Sequence, residues 1–163
     1  MVHCMMKLTE RVLNGPNPDG SPLDPRDGAS AFVAAAGLNI TTVRPDRFEG
    51  YIDLDESHHQ PWGIVHGGVY TTAVESAASL GASAFAAQRG QYAVGVNNNT
   101  SFLRPVTAGR VEVTAWPIQQ GRTQQLWQVE IVDHTGRLIA TGQLRVANVA
   151  LPASAAPTDG GEA

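Results

Sequence analysis

The chain is 163 residues long, with 42% apolar and 16% charged residues and a formal net charge of -4. This fits one globular domain with a sizeable core and excludes a disordered chain. The acidic balance and scattered basic residues exclude a basic footprint for nucleic acid or for an anionic membrane surface.

Cys4 is the single cysteine. Intrachain disulfides and zinc sites built on several cysteines are therefore excluded. The first residues carry no apolar signal core, so the expected location is the cytoplasm. Met1 to Leu13 suits a short helix, and Asn14 to Asp27 holds Gly15, Pro16, Pro18, Gly20, Pro22 and Pro25, which is linker chemistry. The expected organisation is an extension and linker over 1–28, a folded domain over 29–149 and a disordered tail over 150–163.

Within the domain, Ala29 to Ala36 suits a short helix stopped by Gly37. Leu38 to Arg44 and Arg47 to Leu54 read as strands joined around Pro45-Asp46. A polar loop from Asp55 to Val65 stiffens at Pro61. A long helix then runs from about Gly67 to Gln88 and closes at Arg89-Gly90, a cation and a glycine where a helix end favours them. Its length approaches a membrane span, but its Glu, Ser, Thr and Gly content predicts a buried helix of a soluble domain.

Tyr92 to Leu103 is the next predicted strand. Val111, Val113 and Ala115 then alternate with Glu112, Thr114 and Trp116. After Gly121-Arg122, Trp127, Val129 and Ile131 alternate with Gln128, Glu130 and Val132. His134-Thr135-Gly136-Arg137 turns into a last strand, Leu138 to Val149. Period-two alternation predicts antiparallel strands with one covered face. The fold class is α+β, with a sheet able to curl around one helix. That helix is rich in alanine and glycine, which lets a sheet approach closely from several sides.

One stretch carries chemistry: Gln60-Pro61-Trp62-Gly63-Ile64-Val65-His66-Gly67-Gly68, followed by a small-residue segment with the single charge Glu75. A Gly-Gly pair opening a helix exposes backbone N–H groups that can hold developing negative charge. An isolated carboxylate eight residues on makes an ester-cleaving pair with it. Together with Gly121 to Ile131 and Gly136-Arg137-Leu138, this stretch resembles the hotdog-fold thioesterases over about Leu38 to Val149. It is most similar to the branch that hydrolyses acyl- and aroyl-coenzyme A with a glutamate on the central helix. That branch includes the 4-hydroxybenzoyl-CoA and 1,4-dihydroxy-2-naphthoyl-CoA thioesterases of aromatic acid and menaquinone metabolism. Trp62 stands where the family often has Phe, Ser79 where it often has Thr, and Asn97-Asn98-Asn99 is unusually polar for its strand.

A helix rises about 1.5 Å per residue, so Gly67 and Glu75 lie roughly 12 Å apart on one helix. An attacking oxygen and an oxyanion donor must both come within on the order of 3 Å of the reacting carbonyl. If both act, two antiparallel helices must meet, and a homodimer follows. The resemblance implies the same pairing and adds a dimer of dimers, a homotetramer. On this reading the Gly67 N–H polarises the carbonyl and Gln60 donates a second hydrogen bond. Glu75 attacks directly or activates water, Ser79 one turn on steadies it, and His66 orients the loop. Each also has a structural alternative: an arginine ion pair for Glu75, a loop role for His66 and Gln60, helix packing for Ser79.

The substrate's CoA phosphates need cations at the pocket mouth. Arg104, Arg122 with Thr123, and Arg89 are the candidates, with Ser101 and Asn99 weaker ones. His58, His59 and His66 lack metal-ligand spacing, so no metal and no cofactor are expected. The competing functions are a hotdog acyl dehydratase and a non-catalytic module that binds acyl-CoA.

Overall fold

Every segment with period-two alternation becomes a strand. The computed structural model describes residues 31–150. The expected helix at 1–13, the linker, the start of the first domain helix at Ala29 and the tail from 151 on lie outside them. In chain order come α1 (Ala31–Ala35), β1 (Leu38–Arg44), β2 (Arg47–Leu54), a 3-10 turn (Glu56–His58), α2 (Gly67–Ala87), β3 (Gln91–Phe102), β4 (Gly109–Gln120), β5 (Gln124–Asp133) and β6 (Leu138–Ala150). The six strands form one antiparallel sheet in the order β1-β2-β4-β5-β6-β3. This is the expected α+β architecture, a sheet curled around a central helix.

The inward side chains of the alternating strands form the core. Phe48, Ile52, Val111, Val113, Trp127, Val129, Ile131, Ile139 and Leu144 are fully buried. Burying each large side chain contributes about 1.5–3 kcal/mol. Against them α2 offers Ala73, Val74, Ala77, Ala78, Gly81 and Ala82, all buried. The small residues are needed where large ones cross. A Cβ on Gly81 would lie 2.5 Å from the Trp127 ring, and one on Gly142 would lie 2.9 Å from Val74. The helix closes as expected: Gly90 takes φ +65° and its N–H reaches the Ala87 carbonyl at 3.1 Å.

Two features were not expected. The loop after β2 contains the 3-10 turn, where Asp55 accepts the Ser57 N–H at 2.9 Å and gives its own N–H to His58 Nδ1 at 3.2 Å. Gln125, on the inward face of β5, is buried. Its Nε2 donates to the Ala82 carbonyl at 3.0 Å and to Asn148 Oδ1 at 2.8 Å, while Trp127 Nε1 donates to its Oε1 at 3.0 Å. Burial of that amide is tolerated because its polar atoms are satisfied. Among the described residues no helix is long and apolar enough to cross a membrane.

Candidate active site

The start of α2 is pinned before the helix begins. The Val65 N–H donates to the Val106 carbonyl and the His66 N–H to the His58 carbonyl, both at 2.8 Å. Gln60 and Ile64 close the intervening turn at 2.8 Å, and Gly63 sits within it at φ +75°. His66 is the N-cap, with extended backbone (φ -69°, ψ 132°), and its Nδ1 accepts the Gly68 N–H at 2.8 Å. A histidine here does the work usually left to Ser, Thr, Asp or Asn.

That cap leaves one donor over. The Gly67 N–H has no acceptor among the described residues, and it sits at the positive end of a 21-residue helix. The Phe102 ring lies against Gly67, where a Cβ would come within 2.7 Å of it. Phe102 is 55% exposed and is 6.3 Å from the Tyr70 ring, centroid to centroid. Tyr70 is buried and its hydroxyl has no partner among the described residues. Burial pushes its pKa up to about 12, so it stays protonated and is no base near neutrality.

Glu75 lies two turns further along α2, half-buried. No Lys, Arg or His pairs with it among the described residues, whose ion pairs all lie elsewhere. The arginine-pair reading of Glu75 therefore finds no support here. Its hydrogen-bond partner and the residue facing its other oxygen come from β3, an edge strand. Asn98 Nδ2 donates to Glu75 Oε2 at 3.1 Å and to the Thr71 carbonyl at 3.2 Å. Gly95 faces the other carboxylate oxygen.

Residues 63–140 match the model of the Thioesterase superfamily. A Mycobacterium tuberculosis protein named as an esterase, Rv1847, is 43% identical over 136 residues, covering 82% of this chain and 96% of the relative. The chain belongs to the thioesterase superfamily. The solved Rv1847 structure has a TM-score of 0.73 over 76% of this chain and 99% of that one. The proofreading thioesterase EntH of Klebsiella pneumoniae is 31% identical over 118 residues, 72% of this chain and 85% of EntH. Thioesterase HI1161 of Haemophilus influenzae, 32% identical, superposes with a TM-score of 0.69 over 75% of this chain and 85% of that one. Membership carries the broad activity, hydrolysis of thioesters on a hotdog fold.

In this thioesterase the remaining sequence-predicted residues fall into separate groups. The Gln60 side chain makes no hydrogen bond among the described residues and is half-buried in the loop before α2. Ser79 is one turn beyond Glu75, yet Asn98 and not Ser79 holds the carboxylate. Arg104 follows β3 at the Gly67 end, and its Nη1 donates to the Leu138 carbonyl at 2.5 Å. Ser101 and Asn99 are exposed on β3. Arg122 and Thr123 lie at the opposite end, where Asn148 Nδ2 reaches the Arg122 carbonyl at 3.3 Å and the Asn148 N–H the Thr123 carbonyl at 2.9 Å. Arg89 is at that end too, stacked 4.7 Å over Phe85. At about 3.3 Å per strand residue the two groups are on the order of 30 Å apart in one copy.

The three histidines point to different partners. His58 binds Asp55, His59 Nε2 contacts the Thr107 carbonyl at 2.5 Å, and His66 caps α2. Gly95 was not among the predicted site residues. A Cβ there would overlap Glu75 Oε1 and lie 3.1 Å from the carboxyl carbon. The carboxylate ends a flexible chain, so it would swing away while the fold holds. Gly95→Ala is expected to leave stability within about 1 kcal/mol of wild type. Because small misplacements of reacting groups are costly, kcat should fall roughly tenfold or more. Thermal unfolding beside steady-state kinetics checks both halves.

Proposed function

We propose that the chain hydrolyses coenzyme A thioesters, aroyl-CoA above all, to the free acid and CoA, in sites shared between two copies of the chain. The observation that carries this reading is the unused Gly67 N–H on the same helix as Glu75, a carboxylate with no cationic partner among the described residues. The substrate carbonyl oxygen accepts from the Gly67 N–H, helped by the helix dipole, with Gln60 as a second donor. Glu75 attacks the carbonyl carbon and leaves a mixed anhydride that water opens, or it takes a proton from an attacking water. Either way the C–S bond breaks, the sulfur leaves as thiolate and takes a proton, and the acyl group ends as a carboxylate.

Roughly 12 Å of helix between Gly67 and Glu75 means that each site takes the N–H from one copy and the carboxylate from the other. The β3 edge supports such pairing: among the described residues it is unpaired on one side, and it exposes Val94 and Val96, an edge open to a second strand. Antiparallel pairing also brings Arg104 of one copy towards the Arg89 and Arg122 end of the other, so both groups can serve one CoA. The resemblance adds a dimer of dimers. Phe102 against Gly67 supports an aromatic acyl group, because the atoms bonded to the reacting carbonyl must lie beside that ring.

A thiol-release assay over benzoyl-, hydroxynaphthoyl-, phenylacetyl- and fatty acyl-CoA tests the reading. The expected outcome is free CoA, fastest from an aroyl substrate. Tight binding without thiol release overturns it in favour of a binding module. With a 3-hydroxyacyl-CoA added to the panel, loss of water with new double-bond absorbance and no thiol overturns it in favour of a dehydratase.

A further inference from the structure

We propose that Asn98 is a positioning residue that holds the Glu75 carboxylate in its working rotamer through a side-chain amide whose orientation is itself fixed. The inference rests on the reading of Glu75 given above and deepens it.

A break in strand register makes this possible. Side chains alternate along a strand, so Gly95 and Asn98 would ordinarily face opposite sides of the sheet. The β3–β6 ladder shifts between Gly95, paired with Val146, and Asn97, paired with Arg145. Val96 is the extra residue, a β-bulge that re-aims the side chains after it. Gly95 and Asn98 therefore both face α2 at Glu75.

The amide cannot present either end at will. The Thr71 carbonyl and the Glu75 carboxylate can only accept, so the Nδ2 end faces the helix, and Thr100 Oγ1 donates to Asn98 Oδ1 at 2.7 Å behind it. Of its two hydrogens, one serves the Thr71 carbonyl at 3.2 Å and the other Glu75 Oε2 at 3.1 Å. An Nδ2 donor suits a carboxylate, whereas the flipped amide would set Oδ1 against it. Thr100 is itself half-buried against β6, its hydroxyl 3.0 Å from where a Gly142 Cβ would stand.

The consequence is a division of labour between the two carboxylate oxygens. Oε2 is held by Asn98. Oε1 lies over Gly95, the one strand residue that offers no side chain to obstruct it. Freed from Asn98, a glutamate in mid-helix samples several rotamers, and only some of them aim an oxygen at a carbonyl.

The test compares Asn98→Leu, Asn98→Asp, Thr100→Val and Glu75→Ala with wild type, measuring kcat and KM by thiol release on the acyl-CoA the wild type turns over fastest. Loss of the donor is expected to lower kcat about ten- to a hundredfold in both Asn98 variants, with KM within about twofold. Asn98→Asp is near-isosteric and keeps an acceptor for Thr100, but it sets a second carboxylate beside Glu75. It should lose at least as much as the leucine variant. Thr100→Val removes the donor that steadies Oδ1, loosens the amide and should lower kcat several-fold; it carries the test alone if the Asn98 variants do not fold. Wild-type kcat in the folded variants, or rescue of the leucine defect by aspartate, overturns the proposal while Glu75→Ala remains inactive. If Glu75→Ala itself keeps full turnover, the reading of Glu75 fails first and this one falls with it.

Discussion

Glu75→Ala and Glu75→Gln are expected to fold normally and to lose about 10²–10⁴-fold in kcat. Loss of a carboxylate that acts as base or nucleophile accounts for the size of the effect. Alanine removes the group, while glutamine keeps the shape and an acceptor for Asn98 but can neither attack nor take a proton. The stability side depends on the surroundings. Glu75 is half-buried, and Asn98 is its one hydrogen-bond partner among the described residues. Trading that bond for water should change stability by about 1 kcal/mol. Thiol release and thermal unfolding on the same preparations separate catalysis from folding. Wild-type turnover by either folded variant would remove Glu75 from the mechanism.

Much of this site was legible because its parts are local. Gly67-Gly68 after His66 marks a helix start, and Glu75 stands out as a charge among small apolar residues. Both readings need only neighbours along the chain. The strands were legible for the same reason: Val111 to Trp116 and Trp127 to Val132 alternate in plain sequence, and their burial matches that alternation. The small residues of α2 anticipated the close approach of Trp127 to Gly81.

The features that escaped were set by register and distance. The triplet Asn97-Asn98-Asn99 reads as an oddly polar strand. Only the bulge at Val96, invisible in composition, turns Asn98 onto a glutamate 23 positions earlier. Nothing local marks Gln125 as buried, since its partners Ala82 and Asn148 come from a helix and a strand that the fold brings together. The arginines were found by type and local setting. Arg104 and Arg122 flank β4, so that one strand sets them at opposite ends of the sheet and they cannot share a pocket mouth within one copy.

Gly67→Pro is expected to lower kcat by about 10²–10³-fold, the usual cost of one oxyanion donor, with the helix intact. Proline is welcome at the first helical position, where the N–H it lacks has no partner within the helix. The residue before it must be extended, and His66 already is. The ring will press on Phe102, which is more than half exposed and free to yield. His66 keeps its bond to the Gly68 N–H, so the cap survives. The substitution thus deletes a single hydrogen-bond donor. Its value is greatest in combination with Glu75→Ala. When the two inactive chains are co-expressed and the mixed dimer is purified by differential tags, one site carries both lesions and the other carries neither. About half of the wild-type activity should return if the N–H and the carboxylate of a site come from different copies. A site built within one chain would leave the mixed dimer as inactive as its parents.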